Sequence, residues 1–148
     1  MDDRAVSATL GYALSLTIAV LLVSGIFVAA ADFVGNERER AIRSELEVVG
    51  NRIAADLSAV DRMVIAANES GSARISTDLP EFAAGRQYTI DVTELSGDQL
   101  YAINLTTDDP DVSVTVRVRT RTDLAESTVS GGDVEIVYTG SKLEVRRE

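Results

Sequence analysis

Residues 35–67 read GNERERAIRSELEVVGNRIAADLSAVDRMVIAA, and the apolar positions in this stretch decide what kind of fold the chain can adopt. Ile42, Leu46, Val49, Ile53, Leu57, Val60 and Val64 recur at steps of four, three, four, four, three and four residues. Their mean spacing of about 3.67 residues marks a helical stripe, nearer an eleven-residue repeat than a heptad; a strand would alternate with a period of two. Off the stripe lie Glu37, Arg40, Glu45, Arg52 and Asp56, with Glu39 and Arg43 at the supportive four-residue spacing, so the opposite face reads as solvated. The stripe needs a partner surface, and its seven residues are assigned to packing of a stalk helix.

Toward the N-terminus, no charge occurs from Ala5 to Ala31, a run of 27 residues against the roughly 20 that a helix needs to cross a hydrocarbon core. Leu10, Leu14, Ile18, Leu21 and Leu22 supply its bulk. Gly11, Ser15, Ser24 and Gly25 are small enough to let helices approach closely. Between this run and the stripe stand Asp32, Gly35 and Asn36, and Gly50 interrupts the stripe itself. Glycine costs about 1 kcal/mol relative to alanine inside a helix. Two outcomes are therefore open: one helix from about Val6 to Ala67 with a bend near Gly35 or Asn36, or an anchor and a separate domain helix.

Toward the C-terminus the period changes. NESGS (68–72) is a breaker cluster, and beyond it DVSVTVRVRT places Val112, Val114, Val116 and Val118 on one face and Ser113, Thr115, Arg117 and Arg119 on the other. QYTIDVTEL and QLYAINLTT flank SGD as a hairpin, DVEIVYTG and KLEVRRE flank Gly140 and Ser141 as another, and SARIS adds a short edge. About five or six antiparallel strands follow, enough to cover an amphipathic helix. The expected fold class is α+β: a long N-terminal hydrophobic helix (6–31) continuing into an amphipathic one (32–67), packed on a small antiparallel β-sheet (73–148).

Chemistry is sparse. The 148 residues contain no Cys, His or Trp, which removes disulfides, thiol nucleophiles, imidazole bases and nearly every zinc, copper or haem site. No enzyme activity, cofactor or metal is expected. TDDPD groups Asp108, Asp109 and Asp111 but lacks the spacing and closing glutamate of a calcium loop, so it reads as a turn. SGG (130–132) has neither the strand-to-helix context nor the lysine of a phosphate loop and reads as a flexible connector. Arg117, Arg119, Arg121, Arg146 and Arg147 are expected to balance carboxylates across strands. Asn68 and Asn104 each head an Asn-x-Ser/Thr triplet and are candidate glycosylation sites, Asn68 in a loop and Asn104 in or near a strand.

Net charge is −10 and the pI about 4.4, which argues against phosphate-backbone binding and hence against a nucleic-acid partner. With a single lysine, Lys142, and abundant Ala and Val, the composition resembles that of proteins from salt-loving archaea. In molar salt the Debye length falls to roughly 3 Å and carboxylate repulsion is screened. Structure is expected to be lost in dilute buffer, and circular dichroism across a salt series checks it.

Three readings compete for the apolar run. Ala29 and Ala31 before Asp32 fit a secretory cleavage site, yet the run is about twice the 7 to 15 apolar residues of such a signal, and its leader carries two aspartates. A plain single-pass anchor fits hydropathy alone; counting Arg38, Arg40 and Arg43 against Arg4 would then put the C-terminal region inside. The third reading rests on RAVSATLG (4–11), which resembles the class III signal of archaeal type IV pilins and pilin-like proteins.

That resemblance implies recognition of Arg4, cleavage between Ala5 and Val6 by a prepilin peptidase, and retention of the apolar helix, with Gly11 where archaeal pilins commonly carry glycine. Ala8 stands where many haloarchaeal pilins have proline, and Leu10 stands where bacterial pilins have glutamate. The implied protein is a major or minor subunit of a surface filament, its partners the membrane, sister subunits and the peptidase. It would lie in the cell membrane with an extracytoplasmic β domain or in a cell-surface filament. The rival is an anchored extracytoplasmic binding module that does not polymerise.

Overall fold

The computed structural model describes residues 3–68 and 71–148, the side chains of residues 3–9 and 32 excepted. A single helix, α1 (Asp3–Ala66), runs through Gly35, Asn36 and Gly50, so the chain does not break into two helices there. Once a helix is nucleated each further residue adds a hydrogen bond, and isolated glycines do not offset that propagation. Left-handed Asn68 (φ 55°) follows its end, with the Asn68 N–H donating to the Ile65 carbonyl at 3.1 Å.

Among the described residues nine strands follow: β1 (Arg74–Thr77), β2 (Phe82–Ala83), β3 (Arg86–Gln87), β4 (Thr89–Ser96), β5 (Leu100–Asp108), β6 (Asp111–Arg119), β7 (Ser127–Ser130), β8 (Val134–Tyr138) and β9 (Leu143–Arg147). The architecture is α+β, with the long helix packed on antiparallel sheets. Contacts divide the chain into two compact units, Met1–Arg38 and Glu39–Glu148. In the first, every large apolar side chain from Leu10 to Val34 is exposed.

The second unit holds the core. Its four-stranded sheet has the order β6-β5-β4-β7 and its three-stranded sheet the order β1-β8-β9; β2 and β3 form a separate hairpin. All seven stripe residues of α1 are buried among Ile90, Val92, Ile103, Leu105, Ile136 and Leu143. On β6, Val112, Val114 and Val118 are buried and Val116 is half-buried, while Ser113, Thr115, Arg117 and Arg119 are exposed. Gly50 explains how the helix comes so near: a Cβ there would lie 2.8 Å from Val116 Cγ2 and 2.9 Å from Leu105 Cδ1. The glycine that weakens the helix locally lets its backbone settle onto β5 and β6.

The β region is richer than the sequence suggested. Instead of one sheet of five or six strands there are two sheets and a hairpin. Two-residue β2 and β3 carry no periodic signal, and β7 offers only Val129 among polar residues. Residues 130–132 are no flexible connector. Ser130 pairs with Thr89, the Gly131 N–H donates to the Tyr88 carbonyl at 2.8 Å, and a Cβ at Gly131 would lie 2.5 Å from Tyr88 Cε1. Gly132 adopts a φ of 113°. These glycines are required by close approach and by backbone geometry.

Candidate functional site

The apolar surface of the first unit is the feature most in need of a partner. Within α1 an 18-residue window reaches a mean hydropathy of 2.5 with none of it buried, which makes this helix long and apolar enough to span a membrane. Leu10 is 71% exposed, Leu14 63%, Ile18 50% and Leu21 66%. Leu22 is exposed likewise, and nothing lies within 4 Å of a Cβ built on Gly11 or Gly25. At 1.5 Å per residue, the stretch from Leu10 to Val34 extends about 37 Å. The hydroxyl of Thr17 is satisfied within the helix, donating to the Ala13 carbonyl at 2.9 Å. Contiguous apolar exposure of this extent marks a surface that meets lipid or protein. The proposed processing residues Arg4, Ala5 and Val6 lie outside the described side chains.

The stripe residues Ile42, Leu46, Val49, Ile53, Leu57, Val60 and Val64 are at most 3% exposed, so their partner is the chain itself and they offer no surface to another molecule. The helix face read as solvated does more than meet water. Glu45 accepts the N–H of Ala84, which sits at φ 45° in the β2–β3 turn; Asp56 accepts from Thr77 Oγ1 at 2.8 Å; and buried Asp61 accepts from the Arg121 N–H at 3.1 Å and the Thr122 N–H at 2.8 Å. Three carboxylates on α1 therefore hold three separate chain segments. Sequence reasoning found no such role for them, because a carboxylate beside a stripe looks the same whether it meets water or a protein donor.

The remaining candidates separate. Arg146 pairs with buried Glu135 (2.6 Å), which also takes Arg74 (2.9 Å). Arg117 and Arg119 are exposed on β6. In the acidic turn Asp109 meets Arg86 at 3.3 Å, and no group of three or more potential metal-binding side chains occurs among the described residues. Asn68 is exposed just past α1. Asn104 is half-buried in β5, paired on both sides, and its Oδ1 accepts from Thr115 Oγ1 at 2.8 Å. The described geometry thus offers an exposed apolar surface for association.

No curated protein and no solved structure matches the chain. Matched over residues 1–148, the chain belongs to the family of unknown function DUF7266.

Proposed function

We propose that this protein is a pilin-like cell-surface protein, cut between Ala5 and Val6 by a prepilin peptidase and held by its apolar helix in the membrane or in a surface filament. The observation that carries the reading is the exposed apolar surface from Leu10 to Val34. Each such side chain gains about 1.5–3 kcal/mol when moved from water to an apolar setting, so the stem is solvated by lipid or by sister stems. Leu10, at the fifth mature position, brings no carboxylate to pair with a neighbour's terminal amine. Association then rests on apolar packing and on close approach at Gly11 and Gly25. The second unit, with its own core, is the exposed part, outside the cell.

Mass spectrometry of the native chain tests this. A terminus at Val6, abolished by replacing Arg4, is the expected result. A terminus at Asp32 would mean a discarded signal and an intact Met1 or Asp2 a plain anchor, and either overturns the reading.

A further inference from the structure

The two edges of the four-stranded sheet differ. Strand β7, at one of them, is four residues long. At the other, all nine residues of β6 pair with β5 without a register shift, and among the described residues no strand pairs with the outer side of β6. A strand in that position presents a row of backbone N–H and C=O groups to which another strand can add. Folds blunt such an edge with proline, a bulge or an inward-pointing charge. Strand β6 has none of these: it reads DVSVTVRVR, and its inward positions are Val112, Val114, Val116 and Val118. Beside it, residues 113–117 and Arg43, Glu47 and Asn51 of α1 line an open groove of about 590 Å³.

The order of side chains along β6 selects the occupant. Laid antiparallel against a second copy of itself about Thr115, the strand sets Asp111 opposite Arg119, Val112 opposite Val118, Ser113 opposite Arg117 and Val114 opposite Val116. That register pairs the whole strand end to end, brings opposite charges together twice and keeps valine against valine on the dry face. Val116, half-buried where the other three valines are buried, gains Val114 of the second copy beside it. Opposite charges facing each other across strands favour pairing, and like charges oppose it. We propose that β6 is a self-recognition edge, through which two copies of this chain join into one continuous antiparallel sheet about a two-fold axis at Thr115. The contact lies within the second unit and does not depend on where the chain is cut or on what surrounds the stem.

The test uses the full chain in detergent; the sequence contains no cysteine. In the proposed pair the two copies of Thr115 face each other, within the roughly 4.4–6.8 Å between Cα atoms that a disulfide spans. The two copies of Ser113 are displaced along the strands by about 14 Å, beyond that reach. Under mild oxidation Thr115→Cys is expected to form a disulfide-linked dimer and Ser113→Cys is not. Association through the stems alone would not favour one site over the other, so equal yields, or no link from Thr115→Cys, overturn the proposal. An edge that takes an extended segment of a different protein gives that second result.

Charge reversal reads the register. Asp111→Arg or Arg119→Asp, each added to Thr115→Cys, is compared with it at the lowest salt at which circular dichroism shows the fold. Either alone should slow linking about tenfold by setting like charges opposite each other. Mixed, the two variants should link to one another at the parent rate, because their reversed ends meet as opposite charges again. Linking of each variant to itself as fast as to the other overturns the register and the proposal with it. A native terminus other than Val6 would leave all of these results unchanged.

Discussion

Leu14 and Leu57 belong to the same helix and are the same residue, yet one is 63% exposed and the other fully buried. The contrast extends over both units: apolar residues surround α1 on all sides from Leu10 to Val34, whereas from Ile42 to Val64 they keep to one face. A helix apolar all round has no side left for water, so its solvent must be lipid or protein; a one-sided helix is satisfied by a sheet of its own chain. The pattern therefore says where each partner comes from. For the stripe it is the sheets of the second unit, and for the stem, on the proposed function, it comes from outside the chain.

The sharpest way to break the comparison is to remove the stem. Among the described residues, every buried core residue lies within 39–148. This fragment is expected to stay monomeric without detergent and to unfold cooperatively, while the full chain partitions into detergent or membrane; sedimentation and thermal circular dichroism read both. A fragment that aggregates or lacks structure would show that the second unit depends on the stem. Single substitutions come next. Leu57→Ala should lower the unfolding free energy of the domain by about 2–5 kcal/mol, from lost transfer energy and the cavity left behind. Leu14→Ala should leave it unchanged, as urea unfolding of both variants would show.

The stripe and the two long hairpins were legible because periodicity reports burial directly: Val112, Val114 and Val118 point inward as alternation requires. What escaped reading lacks a periodic signature. Strand β7 is fixed by pairing with β4, whose other neighbour is β5, and Glu45, Asp56 and Asp61 acquire roles only when distant donors, backbone amides for Glu45 and Asp61 and the Thr77 hydroxyl for Asp56, arrive beside them. The stem was legible as an apolar surface, since length and lack of charge suffice for that. Its occupant was not, because lipid and a sister helix select similar residues.

Glycine makes a finer comparison. Both Gly35 and Gly50 interrupt α1, and propensity alone predicts that alanine at either would favour the helix by about 1 kcal/mol. At Gly35 a Cβ meets nothing within 4 Å, so Gly35→Ala is expected to cost no stability and to raise helical signal. At Gly50 the same Cβ crowds Val116 and Leu105, and overpacking of this kind costs about 1–3 kcal/mol. Gly50→Ala should then be destabilising by up to about 2 kcal/mol. Equal and favourable effects at both positions would mean that the helix does not approach the sheet so closely.

The smallest effect concerns Tyr88, which lies buried with its O–H donating to the Pro80 carbonyl at 2.6 Å. Burial pushes the Tyr88 phenol above its ordinary value of 10.0, partly opposed by a backbone hydrogen bond at Gly132. The fold thus keeps the neutral form, and the unfolded chain loses the proton first. Below about pH 10 the stabilisation from the neutral phenol is complete; as pH climbs past the unfolded value toward the raised folded one, stability falls. Tyr88→Phe has no proton to lose. It should be less stable than the parent by about 0.5–1.5 kcal/mol at neutral pH, for want of the hydrogen bond to Pro80. In alkali the gap should narrow, because only the parent carries this liability. Urea unfolding of the pair at neutral pH and above pH 10 measures the gap, and a gap that stays constant or widens would place the Tyr88 hydroxyl in contact with solvent.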